Sequence, residues 1–250
     1  MAPQTARKAT PVRSPYRFFY WILAAIALVG IAALVFSVVR ARTGGSAAMA
    51  LVKMDSTNLT AVNAKAAPQV LGQASAPVKL VEFADYTCPY CGQWAAQVQP
   101  QLIRDYVNTG KLQIVFYDFP LGSEGEHKYS FLAARAARCA AEQGKFWEMH
   151  DALFGRQSEW SFVATAPVKQ FEEYARGVGV EPTKFNACLE SDRYADAVTA
   201  SHYLGEQLGV NETPTIIINE KRLSNPGLHD YEGLKKTIED AGAGAAAPAK

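Results

Sequence analysis

Two short apolar runs rich in strand formers, Val78–Ala84 (VKLVEFA) and Leu112–Phe119 (LQIVFYDF), enclose a segment whose apolar residues recur at helical spacing. Trp94, Val98, Leu102, Ile103, Tyr106 and Val107 fall on one helical face, with Pro89 suited to the first helical position and Asn108 and Gly110 to the exit. Pro100 interrupts this helix, and the continuing apolar period beyond it predicts a kink rather than a stop. Strand, helix and strand at this spacing make a unit of βαβ size.

Beyond it the pattern changes. From about Lys128 to Leu208 the segments YSFLAARAARCAAEQ, KFWEMHDALF, VKQFEEYARG, PTKFNACL and RYADAVTASHYLGEQL all read as helices, with Gly144, Gly177 and Gly209 as stops. Thr215–Asn219 and Lys221–Ser224 then predict two short strands paired across an Asn219-Glu220 turn, and a closing helix follows over about Asp230–Asp240. The fold class is α/β: one domain over 70–240, interrupted by a helical insertion at about 126–209.

Ahead of this domain lies an uncharged apolar stretch, Phe18–Val39, whose 22 residues would span about 33 Å as a helix, one bilayer crossing. It predicts a transmembrane anchor preceded by a cytoplasmic segment, 1–17. A cleaved signal peptide is the other reading, with Ala48-Met49-Ala50 resembling a cleavage site, but the apolar region is long for one. Arg7, Lys8, Arg13 and Arg17 before the stretch outnumber Arg40 and Arg42 after it, which places the N-terminus in the cytoplasm and the domain outside it, in the periplasm or at the cell surface. Residues 40–69 lack sustained periodicity and read as a linker; 241–250, rich in Ala and Gly, read as a disordered tail.

Charge narrows the possible functions. Net charge is +1, yet six basic and no acidic residues precede Ser46, leaving 19 basic against 24 acidic residues in the remainder. An acidic domain lacks the basic face that nucleic acid requires. All four cysteines lie in this outer portion, where disulfides persist.

Cys88-Pro89-Tyr90-Cys91 begins where the first strand ends and the first helix starts. Unpaired amides and the positive end of the helix dipole there favour a thiolate at Cys88, the expected nucleophile. Cys91, one turn on, can close a disulfide with it and is the expected resolving thiol. A static disulfide or half a zinc site are the alternatives. Zinc is disfavoured because the chain has no second CxxC, and its histidines (His127, His150, His202, His229) form no closely spaced pair. No metal or other cofactor is expected. Glu82, among Leu80, Val81, Phe83 and Ala84, reads as a buried strand carboxyl with a raised pKa. His127 is a weaker candidate for the site, and Phe146, Trp147, Phe154 and Trp160 read as core rather than groove.

The segment VEFADYTCPYC, the Thr213-Pro214-Thr215 element before a strand and the intervening helical block together resemble the thioredoxin superfamily, specifically its DsbA-like oxidoreductases. The resemblance implies a cis Pro214 facing the cysteine pair, a Thr213 backbone that pairs with extended substrate, and Pro89 and Tyr90 in the substrate-contacting surface. It implies a proton-shuttling role for Glu82 and favours a structural Cys139–Cys188 disulfide. The implied activity is disulfide introduction into reduced secreted proteins, with reoxidation by a quinone-linked membrane partner of DsbB or vitamin K epoxide reductase type. Reductase or isomerase activity, or a non-catalytic tethered peptide- or metal-binding module, are the alternatives.

Overall fold

In a computed structural model of the chain, the structure describes residues 20–23, 25–33, 50–52, 54, 55, 57–223 and 230–245. The chain divides into two units, Met1–Gly45 and Ser46–Lys250. In the first, residues 20–23 and 25–33 are helical, with Trp21, Ile26, Leu28 and Val29 exposed. The remainder of the expected span at 18–39, the segment 1–17 and Ala48-Met49 lie outside the described residues, among which no helix is long and apolar enough to cross a membrane.

The second unit is built on a five-stranded mixed sheet. Its elements begin with helix α1 (Leu59–Ala66) and strands β1 (Gln69–Leu71) and β2 (Val78–Ala84). Helices α2 (Pro89–Gln97) and α3 (Gln99–Leu102) and a π-helical turn (Ile103–Val107) lead to β3 (Leu112–Asp118). The insertion comprises α4 (Ser130–Ala141), α5 (Phe146–Gly155), α6 (Gln157–Trp160), α7 (Val168–Gly177), α8 (Pro182–Glu190) and α9 (Ala195–Gln207). Strands β4 (Thr215–Ile218) and β5 (Lys221–Arg222) and helix α10 (Tyr231–Ala245) complete it.

Strand order is β1-β3-β2-β4-β5, with β2 and β3 parallel and the other neighbours antiparallel. Period-two alternation sorts the side chains to two faces. Val78, Leu80, Leu112, Ile114, Ile216 and Ile218 pack beneath Trp94, Val98 and Leu102 of the α2–α3 path and Leu234 and Ile238 of α10. On the opposite face Phe83 packs with Phe119 and Val210, flanked by Val81, Tyr117 and Ile217. A separate core joins α4 to α8 and reaches the sheet at Ala84, Tyr86 and Phe116.

Helical structure does continue past Pro100, with altered bonding: Val98 N–H reaches Trp94 O at 3.0 Å, and by Asn108 the amide bonds Ile103 O, five residues back, at 2.9 Å. The hairpin turn has positive φ at both Asn219 (42°) and Glu220 (72°), as a primed two-residue turn demands. Of the expected last strand only Lys221–Arg222 is extended, and Ser224 lies outside the described residues.

Two expectations are corrected. Residues 59–69 are not linker: Asn58 caps α1 by accepting from Ala61 N–H at 3.1 Å, and Val62 and Ala66 are buried in a cluster with Ala200 of α9. Arg138 then holds the end of α1 from the insertion, donating to Ala66 O at 3.1 Å and Ala67 O at 2.9 Å, while β1 pairs with β3. One buried residue per turn is too sparse an apolar signal to read from sequence. The helix α10 also runs on to Ala245, through the start of the expected tail, because alanine sustains a helix already docked on the sheet; residues 246–250 lie outside the described residues.

Candidate active site

The chain leaves β2 at Ala84 and turns through Asp85, Tyr86 and Thr87 before α2 begins. Cys88 is the N-cap residue of α2 with extended backbone (φ −72°, ψ 121°), and Pro89 occupies the first turn, where its missing N–H costs nothing. Cys88 N–H donates to Asp85 O and Gly92 N–H to Cys88 O, both at 3.1 Å. The Cys88 side chain makes no N-capping hydrogen bond; its sulfur sits at the head of the helix.

Cys88 and Cys91 are both unbridged, and both are buried. The Cys91 thiol beside it does most to lower the Cys88 pKa, to about 6, aided by Thr213 and the amides of Cys91 and Tyr90. Burial drives Cys91 the other way, well above an ordinary thiol, and the neighbouring Cys88 adds to the rise. The two sulfurs are thus electronically distinct: one poised as a thiolate, the other held as a thiol.

Across from them the Thr213–Pro214 peptide is cis, and the Cys88 thiol lies 3.3 Å from Thr213 O. Pro214 is buried, whereas Pro89 and Tyr90 are exposed on the rim, Tyr90 at 59%. Cys88, Cys91, Thr213, Pro214, Pro89 and Tyr90 therefore converge on one surface. Glu82 is fully buried on β2, in register with Phe116 on one side and Ile216 on the other. Its Oε2 accepts from Trp94 Nε1–H at 3.1 Å, while Oε1 has no hydrogen-bond partner. Burial pushes its pKa up to about 8, and the Trp94 bond offsets only part of that. Cys139 and Cys188 lie apart from this surface, joined in a disulfide between α4 and α8 with Cα atoms 5.7 Å apart.

Four polar residues around the redox turn escaped the sequence reading. The buried Asp85 carboxylate accepts from Thr87 N–H (2.7 Å), Thr87 Oγ1–H (2.8 Å), Leu121 N–H (2.7 Å) and Ser130 Oγ–H (2.7 Å). His127 joins this network through Nδ1, 2.7 Å from Thr87 Oγ1 and 3.6 Å from Asp85 Oδ2. Asp-x-Thr is a local signature of an Asx turn and was the available signal for Asp85. Gln157 had none: from α6 it donates to Tyr86 O at 2.8 Å and Cys88 O at 2.9 Å. His150 is a buried core residue, 3.2 Å from Tyr86 Oη and ringed by Phe116, Phe146, Trp147 and Phe154, and burial drops its pKa to about 3. His229 lies outside the described residues.

Comparison with known proteins gives one consistent picture. The thioredoxin family model matches residues 64–240. A probable disulfide bond formation protein D of Bacillus cereus is 32% identical, the match covering 68% of this chain and 77% of that protein. The crystal structure of oxidised BdbD from Bacillus subtilis superposes with a TM-score of 0.63 at 27% identity, covering 70% of this chain and 93% of that one. A sodium/proton antiporter, NhaA 3, of Salinispora tropica is 35% identical over 70% of this chain, which spans only 25% of the antiporter's length.

Proposed function

Because the chain belongs to the thioredoxin family, among its DsbA-like thiol:disulfide oxidoreductases, we propose that it works as an oxidase outside the cytoplasm, introducing disulfides into reduced secreted or membrane proteins. In this reading the enzyme starts with a Cys88–Cys91 disulfide. A substrate thiolate attacks Cys88 Sγ, the enzyme's S–S bond breaks, and Cys91 leaves with the bonding pair. Glu82, protonated at neutral pH with a pKa near 8, supplies the proton that Cys91 takes up. A second substrate thiolate then attacks the substrate sulfur of the mixed disulfide and expels Cys88 as a thiolate. Two electrons pass from substrate to enzyme, and a new substrate disulfide is released.

The observation that carries this direction is the opposed character of the two thiols. A Cys88 pKa near 6 stabilises the reduced enzyme, which makes the oxidised enzyme the stronger oxidant. Thr213, beside the cis Pro214, offers its backbone to an extended substrate segment, and Pro89 and Tyr90 flank that path. In this reading the apolar stretch Phe18–Val39 tethers the domain to the membrane, where a quinone-linked partner of DsbB or vitamin K epoxide reductase type draws the electrons off.

The test is the equilibrium reduction potential of Cys88–Cys91 in glutathione buffers, measured on the chain with Cys139 and Cys188 replaced by alanine. A value near about −120 mV establishes the oxidase; one near about −270 mV makes the protein a reductase.

A further inference from the structure

Gln157 is the one residue of the insertion whose side chain bonds the Cys88 backbone among the hydrogen bonds described, and both hydrogens of its amide nitrogen are committed there, to Tyr86 O and Cys88 O. These carbonyls bracket Thr87, whose amide and hydroxyl are held from the other side by Asp85. The turn that delivers Cys88 to the head of α2 is therefore gripped twice: from within by Asp85, and from the insertion by Gln157. A second feature marks the same contact. Gly92 stands where a Cβ would lie 3.0 Å from Gln157 Oε1, so the absence of a side chain at 92 leaves the room the amide occupies.

We propose that Gln157 is a positioning residue for thiol–disulfide exchange: it fixes the Cys88 peptide so that the first-turn amides of α2 face the Cys88 sulfur. Cys88 O takes both the first helical bond, from Gly92 N–H, and the Gln157 amide, so the carbonyl is held along the helix axis by two donors. With the carbonyl fixed, the amides of Tyr90 and Cys91 keep their aim at Sγ, where they favour the thiolate. Release of the carbonyl lets the N-cap rotate and blunts that stabilisation. The helical insertion thus contributes to the chemistry by tuning a group it does not itself contain. Gln157 touches neither sulfur nor substrate and acts only through Cys88.

The inference rests on Cys88 being the low-pKa nucleophile, and the experiment separates the two ideas. Cys88 is titrated by ultraviolet thiolate absorbance and by the pH dependence of its alkylation, in the full chain and in Gln157→Ala, Gln157→Glu and Gly92→Ala, with thermal melting alongside. Gln157→Ala moves the Cys88 midpoint up toward the ordinary thiol value of about 8.5, and Gln157→Glu, which is isosteric but lacks the donors, moves it further. Gly92→Ala displaces the Gln157 amide and shifts the midpoint the same way while leaving the melting temperature equal or higher, because alanine is the better helix former. A merely structural Gln157 would lower the melting temperature and leave the midpoint alone. A depressed wild-type midpoint that stays put in all three variants overturns the role of Gln157. A wild-type Cys88 that titrates as an ordinary thiol overturns its reading as the nucleophile, and the Gln157 inference falls with it.

Discussion

Cys88 sits at the head of α2, where first-turn amides lack helical partners; Cys139 and Cys188 each sit third from the C-terminal end of their helices, α4 and α8. All four are buried, so burial alone does not sort them. Position along the helix does: the N-terminal end favours a thiolate, whereas the C-terminal end offers carbonyls that disfavour one. The first pair is left with two unequal thiols opposite a cis proline. The second is closed into a bridge between two helices, 49 residues apart in sequence. The same residue type thus serves reactivity in one place and cohesion in the other.

The sharpest way to break this comparison is to exchange the roles by mutation. Cys88→Ser is expected to abolish oxidation of a reduced model peptide altogether. Cys91→Ser is expected to retain nucleophilic attack: offered a peptide disulfide, the Cys88 thiolate displaces one peptide thiolate and stays trapped as a mixed disulfide with the other half, visible as an added peptide mass. Residual turnover in Cys88→Ser would sink the assignment of the first pair. Replacing Cys139 and Cys188 together by alanine is expected to leave peptide oxidation near its original rate while lowering unfolding stability by up to ~4 kcal/mol on the loop-entropy account. Denaturant unfolding measures that loss. The variant should still fold, because Arg135 independently ties α4 to the end of α8, bonding Leu189 O and pairing with Asp192 at 2.7 Å.

Glu82, buried on β2, adds a third perturbed group to the contrast. Its folded pKa is raised to about 8, above the unfolded carboxyl value of about 4.3. Its contribution to stability is therefore complete below about pH 4.3 and is lost progressively as pH rises to about 8, since the unfolded chain releases this proton first. Glu82→Gln has no proton to lose. Its stability relative to wild type is expected to grow across that window, by up to about 5 kcal/mol at its upper end, and to flatten above it. Chemical denaturation at a series of pH values gives the curve. A gap that does not change with pH would place the carboxyl in contact with solvent.

Much of this was legible beforehand, and the exceptions have a common cause. Strand β2 has the very bounds its apolar run predicts, and β3 and α2 follow their periodic patterns closely, because local spacing and burial agree there. The order of these patterns also gave an α/β domain with a helical insertion, and the thioredoxin topology was what the resemblance carried by VEFADYTCPYC, Thr213-Pro214-Thr215 and the helical block implied. Helix α1 was not, since only Val62 and Ala66 are buried and its support comes from α9 and Arg138, far along the chain. Ser130 and Gln157 were missed for the same reason: each is an ordinary polar residue until the fold brings its partner within 3 Å from 45 to 71 positions away.

Ser130 offers the finest test of whether the two cysteine pairs are independent, because α4 begins at Ser130 beside the redox turn and carries Cys139 near its other end. Its hydroxyl donates to Asp85 at 2.7 Å and lies 2.8 Å from Thr87 Oγ1. Ser130→Ala removes one donor from a buried carboxylate that keeps Thr87 N–H, Thr87 Oγ1–H and Leu121 N–H. The expected cost is about 1.5 kcal/mol, the usual worth of a hydrogen bond to a charged acceptor. Because three donors still hold Asp85, the Cys88 midpoint should move less than in Gln157→Ala. Combined with the Cys139→Ala, Cys188→Ala pair, the stability losses should add within about 0.5 kcal/mol if the bridge and the turn do not communicate. A larger departure from additivity, accompanied by a shift of the Cys88 midpoint on loss of the bridge, would make α4 a mechanical link between them and end the division into a reactive and a cohesive pair.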